Sequence, residues 1–334
     1  MKGVRAGAAA LVALCGAGIL AEGRPTQAPV VPIVGLAGAT FRVSSLDRAR
    51  AYYEGVLGFL QAFTLTDAAG ATTSAFFKVN DEQFIEVVPG LAAGEINRQV
   101  RVVFESSDLA RLHALYASRG LSPTAITQGG DGNPVFRVQG PDGATLDFLQ
   151  YVPGSRQART KGQFLGPNRI STHLWHVGIY TKDRASVVPF YQDRLGFDRG
   201  RDLPGGRGEY IETPSSDRNL ETKHPPLDPN NPATRAQYER EVMGAVQHIA
   251  IEVADMRSAR DRVQERGRLT DLQVRAHVGN NRHWLMHLFD PDGTRTEVME
   301  TAVLDALAPM TVMAPGRAVA PPIPPRTPGE IPWP

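Results

Sequence analysis

Three side chains in the C-terminal half of this sequence form a set able to hold a divalent metal: His176, His248 and Glu297. His176 lies in Trp175-His176-Val177-Gly178-Ile179 and His248 in Gln247-His248-Ile249-Ala250-Ile251, so each histidine opens an apolar, strand-like run. Glu297 follows the turn signal Asp290-Pro291-Asp292-Gly293 by a few residues. Side chains alternate between faces along a strand, so parity fixes where each one points. Two imidazoles and a carboxylate suit a divalent ion and leave coordination positions open for a substrate. Singly, each would pass for a satisfied strand histidine or a surface charge.

A repeat sets them apart. Tyr52-Tyr53-Glu54-Gly55-Val56-Leu57-Gly58-Phe59 reappears as Phe190-Tyr191-Gln192-Asp193-Arg194-Leu195-Gly196-Phe197, and Gly140-Pro141-Asp142-Gly143 as Asp290-Pro291-Asp292-Gly293. Where the second copy has His176, His248 and Glu297, the first has Gly38, Arg101 and Asp147. One half is equipped for metal chemistry and the other reads as a scaffold. Glu221, the counterpart of Glu86, is a fourth candidate donor. Its alignment crosses an insertion, so three-donor and four-donor sites both stay open. His283 and His287 alternate with Leu285 on one strand and share a face. If that face is the inner one, His287 is an acid–base candidate, because imidazole titrates near neutrality.

Four similar units must position these groups, each a strand, a helix and further strands. The strands opening the units are expected at Ala39–Val43, Val100–Phe104, Leu174–Tyr180 and Val246–Val253. The helices are expected at Leu46–Leu57, Ser107–Ser118, Arg184–Leu195 and Met256–Glu265, with glycines closing them. Such spacing means a duplicated element, whose open sheets must cover their apolar faces. The fold class is therefore α+β, with tandem paired modules spanning 36–152 and 173–302. Residues 215–243 form an insertion rich in proline, with a helix expected at Ala233–Val242; its length suits a lid or binding loop. His113 is expected on the exposed side of its helix.

Composition removes several functions. The chain has 334 residues and a formal net charge of +1, with no basic stripe for nucleic acid. Residues 1–23 read as an export signal: a basic start, an apolar run from Ala6 to Ala21, and small residues at a cleavage site. Export to a periplasm or the medium is expected, with no stable membrane span after processing. A linker, 24–35, follows. Cys15, the only cysteine, lies inside the signal, so a mature metal site must use His, Asp or Glu. The tail, 314–334, is rich in proline and is expected to lie extended or disordered. The sequence has no Gly-rich phosphate loop and no Gly-x-Ser-x-Gly elbow.

His176-Val177-Gly178-Ile179, Phe190-Tyr191-x-x-x-Leu195-Gly196-Phe197, His248-Ile249-Ala250-Ile251 and Asp290-Pro291-Asp292-Gly293-x-x-x-Glu297 together resemble the vicinal oxygen chelate superfamily of glyoxalases, bleomycin resistance proteins and extradiol dioxygenases. The resemblance covers about residues 36–301. It implies paired βαβββ modules, each pair forming a half-open barrel around a metal, and a small-molecule substrate. A first domain without ligands before a second with His, His and Glu resembles the ring-cleaving dioxygenases and implies Fe(II), with Mn, Zn or Ni as alternatives. The sequence departs from them. Their tyrosine ten residues before the ligand glutamate is His287 here, and His224 is the nearest match to their acid–base histidine. His176, Glu221, His248 and Glu297 together would instead resemble the four-donor sites of glyoxalases and epimerases. An exported binding protein and a homo-oligomer remain compatible with the resemblance. The domain layout leans toward the dioxygenase-like enzyme.

Overall fold

The computed structural model describes residues 30–303 apart from 96, 182–183, 204–207, 215–218, 224–230, 234–246, 267–275 and 280–282, together with 312–313 and 317–318. The expected signal, His224, most of the insertion with its helix, and nearly all of the proline-rich tail lie outside the described residues.

The first half contains β1 (Ile33–Val43), β2 (Gln61–Thr66), β3 (Thr72–Lys78), β4 (Phe84–Pro89), β5 (Gln99–Ser106), β6 (Thr127–Gln128), β7 (Pro134–Gln139) and β8 (Thr145–Leu149). The second contains β9 (His173–Tyr180), β10 (Asp198–Asp202), β11 (Gly208–Glu212), β12 (Asn219–Lys223), β13 (His248–Val253), β14 (His277–Val278), β15 (His283–Phe289) and β16 (Arg295–Val303). Their sheets have the same order, β2-β3-β4-β1-β5-β8-β7-β6 and β10-β11-β12-β9-β13-β16-β15-β14. Each is a curled mixed sheet forming a half-barrel, so the α+β class and the paired modules hold. In each, two modules meet where their first strands pair antiparallel, β1 with β5 and β9 with β13. Each first strand pairs parallel with the last strand of its own module.

β1 starts at Ile33, well before the expected Ala39, because the small residues Gly35, Ala37 and Gly38 mask its alternation. The expected helix Leu46–Leu57 divides. An α-helix, α1 (Leu46–Tyr52), capped by Ser45, runs into a π-helical turn at Tyr53–Leu57 that Gly58 ends with φ +78°. The second half repeats the device at Val188–Arg194, with Gly196 at φ +75°. The wide turn brings the consecutive aromatics Tyr52 and Tyr53, and likewise Phe190 and Tyr191, into the core. α2 (Leu109–Ser118) is capped by the Asp108 side chain, so it starts two residues later than expected. A short helix, α3 (Arg156–Arg159), was not anticipated, whereas α4 (Met256–Glu265) has the expected bounds. His113 is half-buried at the edge of its helix's exposed side: its ring packs edge-on against Phe136, and its Nε2 lies 3.0 Å from the Thr124 carbonyl oxygen.

One apolar cluster runs through both halves, from Val31 to Val298. Polar ties cross it. The buried Gln83 amide donates to the Leu36 oxygen at 3.0 Å and the Leu174 oxygen at 2.8 Å, while its own oxygen accepts from the Leu174 amide. Gln83 thus joins the first strand of one half to the first strand of the other.

Candidate metal centre

The four central strands of the second sheet carry the site. Ala250 on β13 is level with His176 on β9 and with Glu297 on β16, while Gly178 is level with Glu221 on β12. Residues level across a ladder point to one face, and so do residues two apart on a strand. His176, Glu221, His248 and Glu297 therefore converge over a floor made of Ala250 and Gly178. The first half carries Val103 and Thr40 at those two floor positions, with Gly38, Glu86, Arg101 and Asp147 around them.

His176 Nε2 lies 3.0 Å from His248 Nε2, and both rings are fully buried. With Glu297, they bring one ligand atom each within 4.8 Å of one another. Glu221 Oε2 stands 3.2 Å from His248 Nε2 and 3.6 Å from His176 Nε2. Burial holds both imidazoles neutral. His176 is lowered against the pull of Glu221 and Glu297, and His248 is pushed down to about 3 by burial and then Arg295. Burial alone would raise both carboxyls. Lys223 and the histidines overcome it at Glu221, and Arg295 and His287 overcome it at Glu297, so both are held well below the usual range. Neutral imidazole nitrogens turned toward each other and flanked by ionised carboxylates are a cation's donor set. The small floor leaves room for the ion, so the residues fit a divalent metal. The His176 ring packs against both Trp175 and Tyr210, with ring centres 4.8 and 5.5 Å away, and those two rings also touch each other.

Of the other histidines singled out, His287 is beside the centre. It pairs across the ladder with Glu297, and its Nε2 lies 3.3 Å from Glu297 Oε2. Burial first, then Arg295, lowers its pKa. His283 does not follow His287 to the same place: the ladder slips between His283 and Leu285, and His283 Nδ1 sits 2.7 Å from the Glu300 carbonyl oxygen.

Two cations escaped the sequence reading. Arg295 is buried, with Nη2 at 2.9 Å from His248 Nε2 and 3.2 Å from Glu297 Oε2. Lys223 Nζ is 2.9 Å from Glu221 Oε2. Each lies two residues from a carboxylate on the same strand, so parity alone would have aimed both at the centre.

A family model described as the Glyoxalase/Bleomycin resistance protein/Dioxygenase superfamily matches residues 173–298. Residues 173–298 belong to that superfamily. No curated protein matches the sequence significantly. The fold is similar to the 2,3-dioxygenase LapB from Pseudomonas sp. KL28, at 18% identity and a TM-score of 0.59, covering 81% of this chain and 93% of that one. It is also similar to the Mn(II)-bound glyoxalase from Novosphingobium aromaticivorans, at 19% identity and a TM-score of 0.57, covering 81% and 83%. A variant of homoprotocatechuate 2,3-dioxygenase from Brevibacterium fuscum matches at 17% identity and a TM-score of 0.58, covering 84% and 76%. These likenesses establish the fold, which serves different reactions. No helix among the described residues is long and apolar enough to cross a membrane.

Proposed function

We propose that this chain is an exported, divalent-metal-dependent enzyme whose substrate is a small molecule with two adjacent oxygens. Its chemistry is proton transfer next to a carbonyl, of the glyoxalase or epimerase kind, making it a lyase or isomerase. Glu221 carries the reading, because its Oε2 lies within 3.6 Å of both histidine Nε2 atoms. His176, Glu221, His248 and Glu297 then hold the ion as a four-donor set. A divalent ion in that set supplies Lewis-acid polarisation of a carbonyl oxygen. The chain's own residues do the rest. The neutral histidines offer their Nε2 lone pairs without first releasing protons. Glu297 Oε2 takes the proton from the carbon beside the carbonyl and returns it to the neighbouring position, with His287 Nε2, 3.3 Å away, as its relay. Lys223 and Arg295 place two positive charges beside the donors, which suits a substrate that is, or becomes, anionic.

The second reading is ring cleavage on Fe(II). It is favoured by the three-donor cluster of His176, His248 and Glu297 and by the fold shared with two dioxygenases. Metal analysis of anaerobically purified Glu221→Gln and Glu297→Gln separates the two. Equal, near-complete metal loss in both variants, with no oxygen uptake by the wild type across a panel of catechols, is expected. Full metal retention in Glu221→Gln together with catechol-dependent oxygen uptake would replace proton transfer by ring cleavage. Export is tested by the intact mass of protein recovered from the envelope or medium. A start near Arg24 is expected, and a cytoplasmic protein retaining residues 1–21 would sink it.

A further inference from the structure

We propose that the cleft of the first half is a second binding site, for a single-ring phenol, and that it works without a metal. The cleft is a cavity of about 120 Å³ between β1, β5, β8 and the loop 129–133. An apolar protein cavity of about 150 Å³ accepts benzene, so this cleft takes no more than a single ring. One wall is aromatic. Phe76, Phe84 and Leu65 line it, and Phe63 stacks on Phe76 with ring centres 4.4 Å apart. These side chains form an apolar cluster separate from the main core. Phenylalanines gathered away from the core on a cavity wall are placed to meet a ligand.

The floor is ionic. Thr40 Oγ1 and Arg101 Nη2 both donate to Glu86 Oε2 at 2.5 Å. Arg137 grips Asp147 through two bonds of 2.6 and 2.9 Å, and Arg101 Nε lies 3.4 Å from the same carboxylate. Of the charged residues, Arg101, Glu86, Asp147 and Asp131 line the cavity, the last held by the Asn133 and Gln157 amides, so an anion is disfavoured and a neutral ligand suits it. Glu86 Oε1 and Arg101 Nη1 have no hydrogen-bond partner among the described residues, and both side chains line the cavity. One acceptor beside one donor is the complement of a hydroxyl, which gives one hydrogen bond and takes another. A hydroxyl at the floor with a ring against the phenylalanines describes a phenol. Nothing here holds an ion, since Gly38 and Arg101 replace the two histidines, so the phenol is bound and released unchanged.

The experiment titrates 4-fluorophenol into the full-length, metal-loaded protein and follows the fluorine resonance. Val103→Phe fills the cavity without touching its charges, and Leu65→Trp does the same from the other wall should Val103→Phe not fold. His248→Ala disables the metal half. Saturable binding to wild type and to His248→Ala alike is expected, with at least a roughly tenfold loss in the filled variant. Fluorobenzene, which lacks the hydroxyl, should bind about tenfold more weakly than the phenol. Absence of binding to wild type, equal binding of fluorobenzene, or binding lost in His248→Ala and kept in the filled variant would each overturn the proposal. None of these outcomes depends on the reaction run in the second half.

Discussion

At the level of single residues, the site is a set of burial-shifted groups whose titration should be visible in stability. Without metal, His248 stays neutral down to about pH 3, while the unfolded chain takes up that proton near 6.5. His176 and His287 are lowered as well, with burial again the largest cause. The unfolded state therefore binds more protons below pH 6.5, and stability present above that pH falls on acidification. Glu221 and Glu297, held below 4.5, add to the loss only once the pH drops under that value. Asp290 opposes the trend. Burial, with Asp292, raises it to about 6, so the stability it contributes at low pH is lost as pH rises through 6. Three histidines against one carboxyl leave a net decline between pH 6.5 and 4.5. Urea midpoints of the metal-stripped protein should fall steadily over that window, and a His176→Gln, His248→Gln double variant should flatten the slope. A midpoint that holds constant or rises on acidification contradicts the buried neutral imidazoles. The two histidines and Glu297 were legible in the sequence because the repeat set them against Gly38, Arg101 and Asp147. Arg295 and Lys223 were not, because a charge beside a candidate donor reads as the solvated face of a strand until the register is known.

Among the elements, the strands opening each unit were legible from their apolar runs and the helices from their caps and closing glycines. Two features were hidden. The π-helical turn keeps the residue types of an ordinary helix and differs only in turning Tyr52 and Tyr53 inward together. The start of β1 is masked by glycine and alanine. The floor of the metal centre needs register as well. Ala250 and Gly178 acquire meaning only when seen level with His176, Glu297 and Glu221, and when the first half proves to fill the same places with Val103 and Thr40. Ala250→Val puts two methyl groups where the ion is expected, and transplants the first half's residue. Overpacking a close-packed floor costs about 1–3 kcal/mol, so the protein should still fold. Metal content, measured by elemental analysis, should drop to a small fraction of wild type although every donor is intact. Full occupancy in a folded Ala250→Val protein would show that the floor does not set the room for the ion.

For the whole molecule, two sheets with the same strand order share a single apolar core, and Gln83 ties their first strands together. A sequence repeat cannot reveal this tie, because nothing in a glutamine's type or position says which distant backbone groups it will meet. Three of its four side-chain bonds meet the Leu36 oxygen and both polar groups of Leu174, inside the joint between the halves, and the fourth is accepted from the Asn80 amide. Gln83→Leu keeps the bulk and leaves those backbone groups buried without partners. Each unsatisfied group costs about 1–3 kcal/mol and such costs do not simply add, so a loss of roughly 2–4 kcal/mol is expected. One shared core also means that both halves should unfold together. In urea, the Trp175 and Trp284 fluorescence of the second half and the far-ultraviolet signal of the whole chain should report a single midpoint, in wild type and variant alike. Should Gln83→Leu split the transition in two, the halves are separately stable and the amide is what couples them. If the midpoint instead stays where it was, the tie contributes nothing and the shared apolar cluster alone joins the halves.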